Sequence, residues 1–389
     1  VTADGGQARE RAVLVTRNLP PLRGGMERLN LHVAIALSRR FALTVVGPAG
    51  CARFLPQGIE VREVPSASLP VFLAGAVRAT WAATSRPARL VLAGSGLTAP
   101  IAALAARRCG GASGAYVHGL DLVTRHPAYR AAWVPCMRRL GLAVANSANT
   151  AAIARDLGVA GGNIAVVHPG THLPPAGDGT GEPLPLRSAL GDGPLLLSVG
   201  RLTGRKGIAE FIEHSLPRIA LSHPDVRLVI IGDNAPDALN RSRTDPRRRL
   251  DQAIARAGMA EHVVVLGPCD DRELSQAYAA ADLHVFPVRH VPGDVEGFGM
   301  VAVEAAAHGL PTVAFATGGV PDAVADRTSG RLVAPGDYDA FSRQVCELLA
   351  SDRAGLREST RGFAQGFGWD RFDTALLAAL DRGLAAARA

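Results

Sequence analysis

Residues 195–207 read Leu195-Leu-Leu-Ser-Val-Gly-Arg-Leu-Thr-Gly-Arg-Lys-Gly207. Leu195–Val199 is a short apolar run of the kind a fully buried strand makes. It breaks at Gly200 into a basic, glycine-rich turn that leads into helical sequence. The same rhythm recurs on both sides. In the second half, strands are expected at Val226–Ile231, His262–Leu266, Leu283–Phe286, Thr312–Ala314 and Arg331–Val333. In the first half they are expected at Ala12–Thr16, Leu43–Val46, Val61–Val64, Leu90–Ala93, Ala115–His118, Leu142–Ala145 and Ile164–Val167. Helical stretches separate them, such as the one carrying Leu29, Val33 and Leu37 on one face. Strands alternating with helices predict an α/β architecture whose parallel sheets are covered on both faces.

Pro174–Pro185 (PPAGDGTGEPLP) has the composition of a linker. It divides the chain into two Rossmann-like domains, residues 1–178 and 179–368. The amphipathic segment 369–389 is expected to form a helix that crosses back onto the first domain. Ligands of such sheets sit at the carboxyl ends of strands, so a cleft between the domains is the expected binding place.

Composition narrows the class. The chain has 389 residues, 48% apolar and 20% charged, values that exclude disorder, collagen and coiled coil. No uncharged apolar run reaches the roughly 18 residues of a membrane span; the best stretch, Leu69–Ala83, is broken by Arg78. Cys51, Cys109, Cys136, Cys269 and Cys346 are scattered and never spaced as metal ligands. A reducing, cytoplasmic setting is expected. The charge is uneven: residues 1–180 hold 19 Arg against 8 acids, a balance of +11, whereas residues 181–389 balance at −4. Of 42 basic residues only Lys206 is a lysine, which suggests that arginine does not serve at that position.

Two segments carry chemistry. In Gly200–Gly207, Arg201 offers a planar fork and Lys206 a compact point charge, a pair suited to clamping a diphosphate. The spacing is not that of a Walker P-loop. In Glu296-Gly-Phe-Gly-Met-Val-Ala-Val-Glu304, two glycines open a helix whose free N–H groups suit a phosphate. Glu304, one turn in, is placed to take both hydroxyls of a ribose, and Glu296 to face the sugar side. Either acid could equally be an ordinary loop or helix-surface carboxylate, and a basic loop an ordinary solvated one.

Taken together, GRLTGRKG (200–207), VIIGDN (229–234), Val265-Leu266-Gly267, ADLHVFP (281–287), Glu296–Glu304 and Gly318-Gly319-Val320 resemble the family-4 glycosyltransferases. PPLRGGM (20–26), VHGLD (117–121) and NSANT (146–150) extend the resemblance through the first half. It implies a two-Rossmann (GT-B) fold and retaining transfer of a sugar from a UDP- or GDP-linked donor to an acceptor hydroxyl. Arg201 and Lys206 would neutralise the diphosphate, Glu304 would hold the ribose and Glu296 the donor sugar. Gly24 and Gly25 would close on the phosphates, and His118 would lie near the anomeric carbon. Leu266, Gly297, Phe298, Gly299, Met300 and Val301 would complete the donor site. No metal and no separate cofactor are implied. The sequence departs from the family at His168-Pro169-Gly170, where an Asn more often stands between Pro and Gly.

Rival signals are weaker. Gly94-x-Gly96-x-x-Ala99 formally matches a dinucleotide fingerprint, which would make the chain a nicotinamide-dependent oxidoreductase. It follows the fourth strand rather than the first, and the next acid, Asp121, comes too late. A non-catalytic nucleotide-sugar-binding protein is a further alternative. Asp270-Asp271 is an acidic pair without converging ligands, and the Arg241–Arg249 run reads as a solvated helix face. The basic first half suits an anionic membrane surface and a lipid-linked or cell-envelope glycan acceptor. A soluble small-molecule acceptor is the alternative, and no nucleic-acid partner is expected.

Overall fold

Strands form where the apolar runs predict them, in two sheets whose strands are all parallel. The computed structural model describes residues 9–175, 190–233 and 245–386. Its contacts divide the chain into two units, Val1–Gly170 with Trp369–Ala389, and Thr171–Gly368. The first unit thus ends ahead of residue 178, where the linker composition placed the boundary. The physical reason is that Thr171 already pairs with Gly368 and donates its N–H to Phe367 O at 2.7 Å. Pro174 and Pro175 are described; the rest of the expected linker lies outside the described residues.

The first unit holds β1 (Arg11–Val15), β2 (Ala42–Pro48), β3 (Glu60–Val64), β4 (Leu90–Ala93), β5 (Ala112–Val117), β6 (Leu142–Ala145) and β7 (Ile164–Val166). Their order is β3-β2-β1-β4-β5-β6-β7. Successive residues of a strand point to opposite faces, and the core divides accordingly. Val13, Val15, Val91 and Val117 pack on one face against Phe72, Ala102 and Met137, from the Leu69–Ala83, Ala99–Cys109 and Pro127–Arg138 helices. Leu14, Leu92, Tyr116 and Val144 pack on the other against Leu29, Val33 and Leu37 of the Gly25–Arg40 helix.

That second face is too wide for one helix. The Trp369–Ala386 helix supplies the rest through Phe372, Leu376, Leu380 and Leu384, a stripe at helical spacing. Trp369 stacks on His32 with ring centroids 3.5 Å apart. A side chain at position 170 would strike Trp369, since a Cβ there would lie 2.4 Å from its Cε3, so Gly170 lets the indole approach. Burial, with Arg28 and Arg39 nearby, pushes His32 down to about 4, and it packs as a neutral ring. Asp373 pairs with Arg39 on the same helix–helix seam.

The second unit holds β8 (Leu195–Val199), β9 (Arg227–Ile231), β10 (Val263–Gly267), β11 (Leu283–Phe286), β12 (Thr312–Phe315) and β13 (Gly330–Val333). Their order is β10-β9-β8-β11-β12-β13. One face packs on Phe211, Ile219, Phe341 and Val345; the other packs on Tyr278, Val303 and Ala305.

The place of the terminal helix is testable. Leu376 is fully buried, so Leu376→Ala should cost about 2–5 kcal/mol through lost burial and the cavity left behind. Hydrogen exchange should then show lost protection across β1–β7 with β8–β13 unchanged. Loss confined to β8–β13 would contradict the assignment of this helix to the first unit.

Candidate functional site

In the second unit the strand order reverses between β8 and β11, which are hydrogen-bonded neighbours. Where connections leave two adjacent strands in opposite directions, their carboxyl-end loops part and form a crevice. The loops here are Gly200–Gly207 and the segment from Pro287 to Gly299. Their backbones touch at Gly207, which takes a left-handed φ of +71° and where a Cβ would lie 2.0 Å from Pro287 O. Arg289 N–H donates to Arg205 O at 2.8 Å.

This contact brings four charged side chains together. Lys206 Nζ donates to Glu296 Oε2 at 2.9 Å. Arg205 donates to the same oxygen and, through Nε, to Asp294 Oδ1 at 3.0 Å. All four are largely buried, with side-chain exposures of 12–23%. Burial alone would raise the Glu296 carboxyl, but Arg205 and Lys206 outweigh it and hold the group down to about 2. For Lys206 burial wins: it lowers the ammonium below its usual range, Glu296 counters it, and the positive charges of Arg205 and Arg201 add to it. Lys206 Nζ also lies 4.7 Å from the centre of the Phe286 ring, on the electron-rich face. Its stem passes over Gly200, where a Cβ would be 3.4 Å from Lys206 Cε. Beneath the cluster, His284 is fully buried beside Thr312 Oγ1 at 3.1 Å, and burial with the Lys206 charge pushes it down to about 3.

Arg201, expected in the clamp with Lys206, is exposed immediately after β8. The cation that joins Lys206 on Glu296 is Arg205, which sequence reasoning quoted within the motif but did not single out. The available signal was its place beside the sole lysine. Glu296, expected to face a sugar, is the shared counter-ion of these two cations.

The Glu296–Glu304 segment is pinned from below by Gly318, where a Cβ would lie 2.5 Å from Glu296 O, and by Gly319. Gly319 N–H donates to Glu296 O at 2.9 Å, and a Cβ at Gly319 would lie 2.1 Å from Gly297 O. Gly299, with φ +105°, caps the Met300–Ala307 helix at its N-terminus. Met300 and Val301 stand in the first turn, half-buried. Phe298 is buried with Phe286 and Val288, so its side chain anchors the loop and only its backbone is left for a ligand. Glu304 is half-buried and accepts a hydrogen bond from Tyr278 OH at 3.2 Å. Leu266, at the end of β10, is 38% exposed.

In the first unit, Gly24 caps the Gly25–Arg40 helix, and a Cβ there would meet Glu27 Oε2 at 2.5 Å. His118 stands one residue beyond β5 rather than within it. It is buried, and its Nε2 lies 2.8 Å from Gly94 O. A carbonyl can only accept, so Nε2 carries the hydrogen and, in the neutral ring, Nδ1 keeps the lone pair. The Gly94–Ala99 turn is closed to phosphate: Gly96 N–H donates to the Asp121 carboxylate at 2.7 Å. A Cβ at Gly94 would lie 2.0 Å from Asn30 Oδ1, so this glycine is there for packing.

The acidic pair has a structural job as well. Asp270 caps the Asp271–Ala280 helix in a reciprocal box with Glu273. In the arginine run, Arg247 pairs with Asp251 one turn on, and Arg249 with Glu210. Arg241 and Arg243, like Asn234 of VIIGDN, lie outside the described residues.

Comparison with known proteins accords with this geometry. Residues 193–351 match the family model described as glycosyl transferases group 1, and residues 23–173 match that of glycosyltransferase family 4. Over 231 residues the chain is 36% identical to the D-inositol 3-phosphate glycosyltransferase of Mycolicibacterium gilvum, covering 59% of this chain and 48% of that protein. Over 170 residues it is 36% identical to the GDP-mannose-dependent alpha-(1-6)-phosphatidylinositol monomannoside mannosyltransferase of Mycolicibacterium smegmatis, covering 43% and 41%. The chain thus spans about half the length of the curated relatives it matches. The fold matches Anabaena HepE, solved with UDP and glucose, at a TM-score of 0.76 and 21% identity over 96% of this chain and 100% of that one. It matches the sucrose-phosphate synthase of Thermosynechococcus elongatus at 0.78 and 22%, over 97% and 100%. The chain thus consists of a glycosyltransferase family 4 domain followed by a glycosyl transferases group 1 domain, each with a parallel Rossmann-like sheet, and has the GT-B fold.

Proposed function

We propose that this protein is a retaining glycosyltransferase that moves a sugar from a nucleotide diphospho-sugar, UDP-linked by preference, to an acceptor hydroxyl. The observation that carries this reading is the pairing of Lys206 and Arg205 on Glu296 at the strand-order reversal, beside the glycine-capped start of the Met300–Ala307 helix. Two cations and a helix N-terminus are what a departing diphosphate needs, since its negative charge grows as the glycosidic bond breaks.

Each residue has a role in this proposal. Lys206 and Arg205 stabilise the diphosphate, with Arg201 at the rim. Glu304, oriented by Tyr278 OH, takes the ribose hydroxyls. Glu296 sets the position and charge of both cations and orients the donor sugar. Gly24 and Gly25 cover the phosphates, and His118 lies near the anomeric carbon. The acceptor oxygen bonds to the anomeric carbon on the face the diphosphate leaves, and its proton passes to a leaving phosphate oxygen. Neither a metal nor a separate cofactor takes part. A nicotinamide at the Gly94 turn is disfavoured by the Asp121 carboxylate already on Gly96 N–H.

The acceptor is proposed to be lipid-linked or part of a cell-envelope glycan, used at the cytoplasmic leaflet. Support comes from the +11 balance of residues 1–180. It comes also from the acceptor printed in one relative's name, a phosphatidylinositol mannoside.

Three expected outcomes test the reading. Lys206→Ala should lower kcat about 100- to 1,000-fold, the usual effect of removing one stabiliser of developing charge. Lys206→Arg should also be poor, because a planar fork does not reproduce a compact point charge held between Glu296 and the Phe286 ring. Wild-type turnover in Lys206→Arg would refute the point-charge role.

Calorimetry with bare UDP separates the two glutamates. Glu304→Gln should weaken nucleotide binding roughly ten-fold, about the 1.4 kcal/mol carried by a hydrogen bond to a charged group. Glu296→Gln should weaken it much less while lowering turnover. Equal loss in both variants would reject the division of roles.

The pH profile of kcat/KM reports the free enzyme. Glu296 favours the charged form of Lys206, and Arg205 disfavours it. Glu296→Gln should therefore move the basic limb to lower pH, and Arg205→Gln should move it to higher pH. Displacement of both in one direction would exclude Lys206 as the titrating group.

A further inference from the structure

Apart from His118, the longest acid-free stretch of the first half takes no part in the proposed chemistry. Residues 64–120 contain no Asp or Glu and five arginines. They include two helices that pack side by side, Leu69–Ala83 and Ala99–Cys109. The buried side of the first helix carries Phe72, Ala76, Thr80 and Ala83. Its outer side presents Val71 at 47% exposure, Val77 at 47% and Trp81 at 48%, and the neighbouring helix adds Leu104 at 56%. Single exposed apolar residues are ordinary, but four large ones on two adjoining helices form a patch that calls for a partner.

The rim of this patch is cationic. Arg78 is exposed between Val77 and Trp81, and Arg107 and Arg108 are exposed one turn beyond Leu104. The Arg108 guanidinium lies 4.6 Å over the Trp81 ring, joining the two helices. A shallow groove next to Leu104 is lined by Arg107, Ser113 and Arg139. Among the described residues no carboxylate pairs with Arg78, Arg107 or Arg139. An apolar ridge with a tryptophan at its centre and unpaired arginines around it has the chemistry of a bilayer interface. The indole and aliphatic groups enter the acyl boundary, and the guanidiniums meet phosphates. No helix among the described residues is long and apolar enough to cross a membrane, so contact through this face would be lateral.

We propose that the Val71–Trp81–Leu104 face docks on an anionic phospholipid surface, with Arg107 and Arg139 gripping a headgroup phosphate at the groove. The proposal extends the lipid-side acceptor reading above. Its test measures binding alone, so it can fail while transfer stands, or hold while transfer fails.

The full chain is co-sedimented with vesicles of phosphatidylcholine containing phosphatidylglycerol, and with pure phosphatidylcholine. Binding should require the anionic lipid and fade as salt rises. Arg107→Gln and Arg139→Gln should each lower partitioning roughly five-fold. Trp81→Ser with Leu104→Ser should lower it at least ten-fold with circular dichroism unchanged. Arg343→Gln, at an exposed position on the other unit, should bind as the wild type does. Brominated lipid should quench wild-type tryptophan fluorescence strongly and that of Trp81→Phe much less.

No binding to anionic vesicles at low salt, equal binding to neutral ones, or unchanged binding in the face variants would each overturn the proposal. Self-association in vesicle-free solution that the Trp81→Ser, Leu104→Ser variant abolishes would overturn it in favour of a second copy of this chain. Release of bound protein by inorganic phosphate at constant ionic strength would overturn it in favour of a free anion site.

Discussion

Glu296 holds two cations at once, and the geometry of the second unit's crevice depends on it. Taking four charged side chains out of water is expensive, and a buried ion pair often does no better for stability than apolar packing. Two unit charges about 4 Å apart attract by about 4 kcal/mol at an effective dielectric of 20, which offsets the loss of hydration without a large surplus. Removing one member is different, because a charge left alone costs about 3–5 kcal/mol. The cluster therefore acts as a constraint more than as a source of stability. It ties the turn after β8 to the loop after β11 at the place where the sheet's own hydrogen bonds end. Glycine geometry makes this possible: at Gly207 and Gly319 the backbones approach to distances that a Cβ would prevent.

The strands were legible because the physics behind them is local. In a parallel sheet covered on both faces each strand is a short apolar run, and each such run from Ala12 to Val333 became a strand. The boundary errors are small and run in both directions. His118 falls just outside β5, since its backbone N–H turns to the Asp121 carboxylate at 3.3 Å instead of to a neighbouring strand. The composition of 174–185 marked a connection but not where the units divide, which Thr171 decides through its bond to Phe367 O, a partner far along the chain.

The candidate site was legible as loops and not as pairings. GRLTGRKG offers three cations of similar chemistry, and nothing local says that Arg205, not Arg201, turns inward. That choice follows from the single helical turn Gly204–Lys206 and the left-handed Gly207 after it. Tyr278 on Glu304 and Asp121 on Gly96 were equally hidden, each being a contact between elements that only the fold brings together. The acidic pair at Asp270 shows the reverse case. Asp-Asp-Arg-Glu is a readable capping box, and its signal was in the sequence once metal ligation was set aside.

The two units treat the same topological feature in opposite ways. Each sheet reverses its strand order once, between β1 and β4 in the first unit and between β8 and β11 in the second. Each reversal carries a glycine turn at the carboxyl end of a strand, where a ligand of such a sheet binds. In the first unit the Asp121 carboxylate takes the Gly96 N–H, so the turn already holds a negative charge. In the second, Lys206 and Arg205 stand at the turn with Glu296 as their shared counter-ion, and Arg201 adds a further positive charge nearby. Topology alone would suit a ligand to either unit. The side chains break that symmetry: an anion would be repelled by the carboxylate at the turn after β4 and would meet a surplus of cations at the turn after β8. Which unit suits the anion is thus decided by a few charged residues placed on a repeated fold, and function here belongs to those residues more than to the fold that carries them.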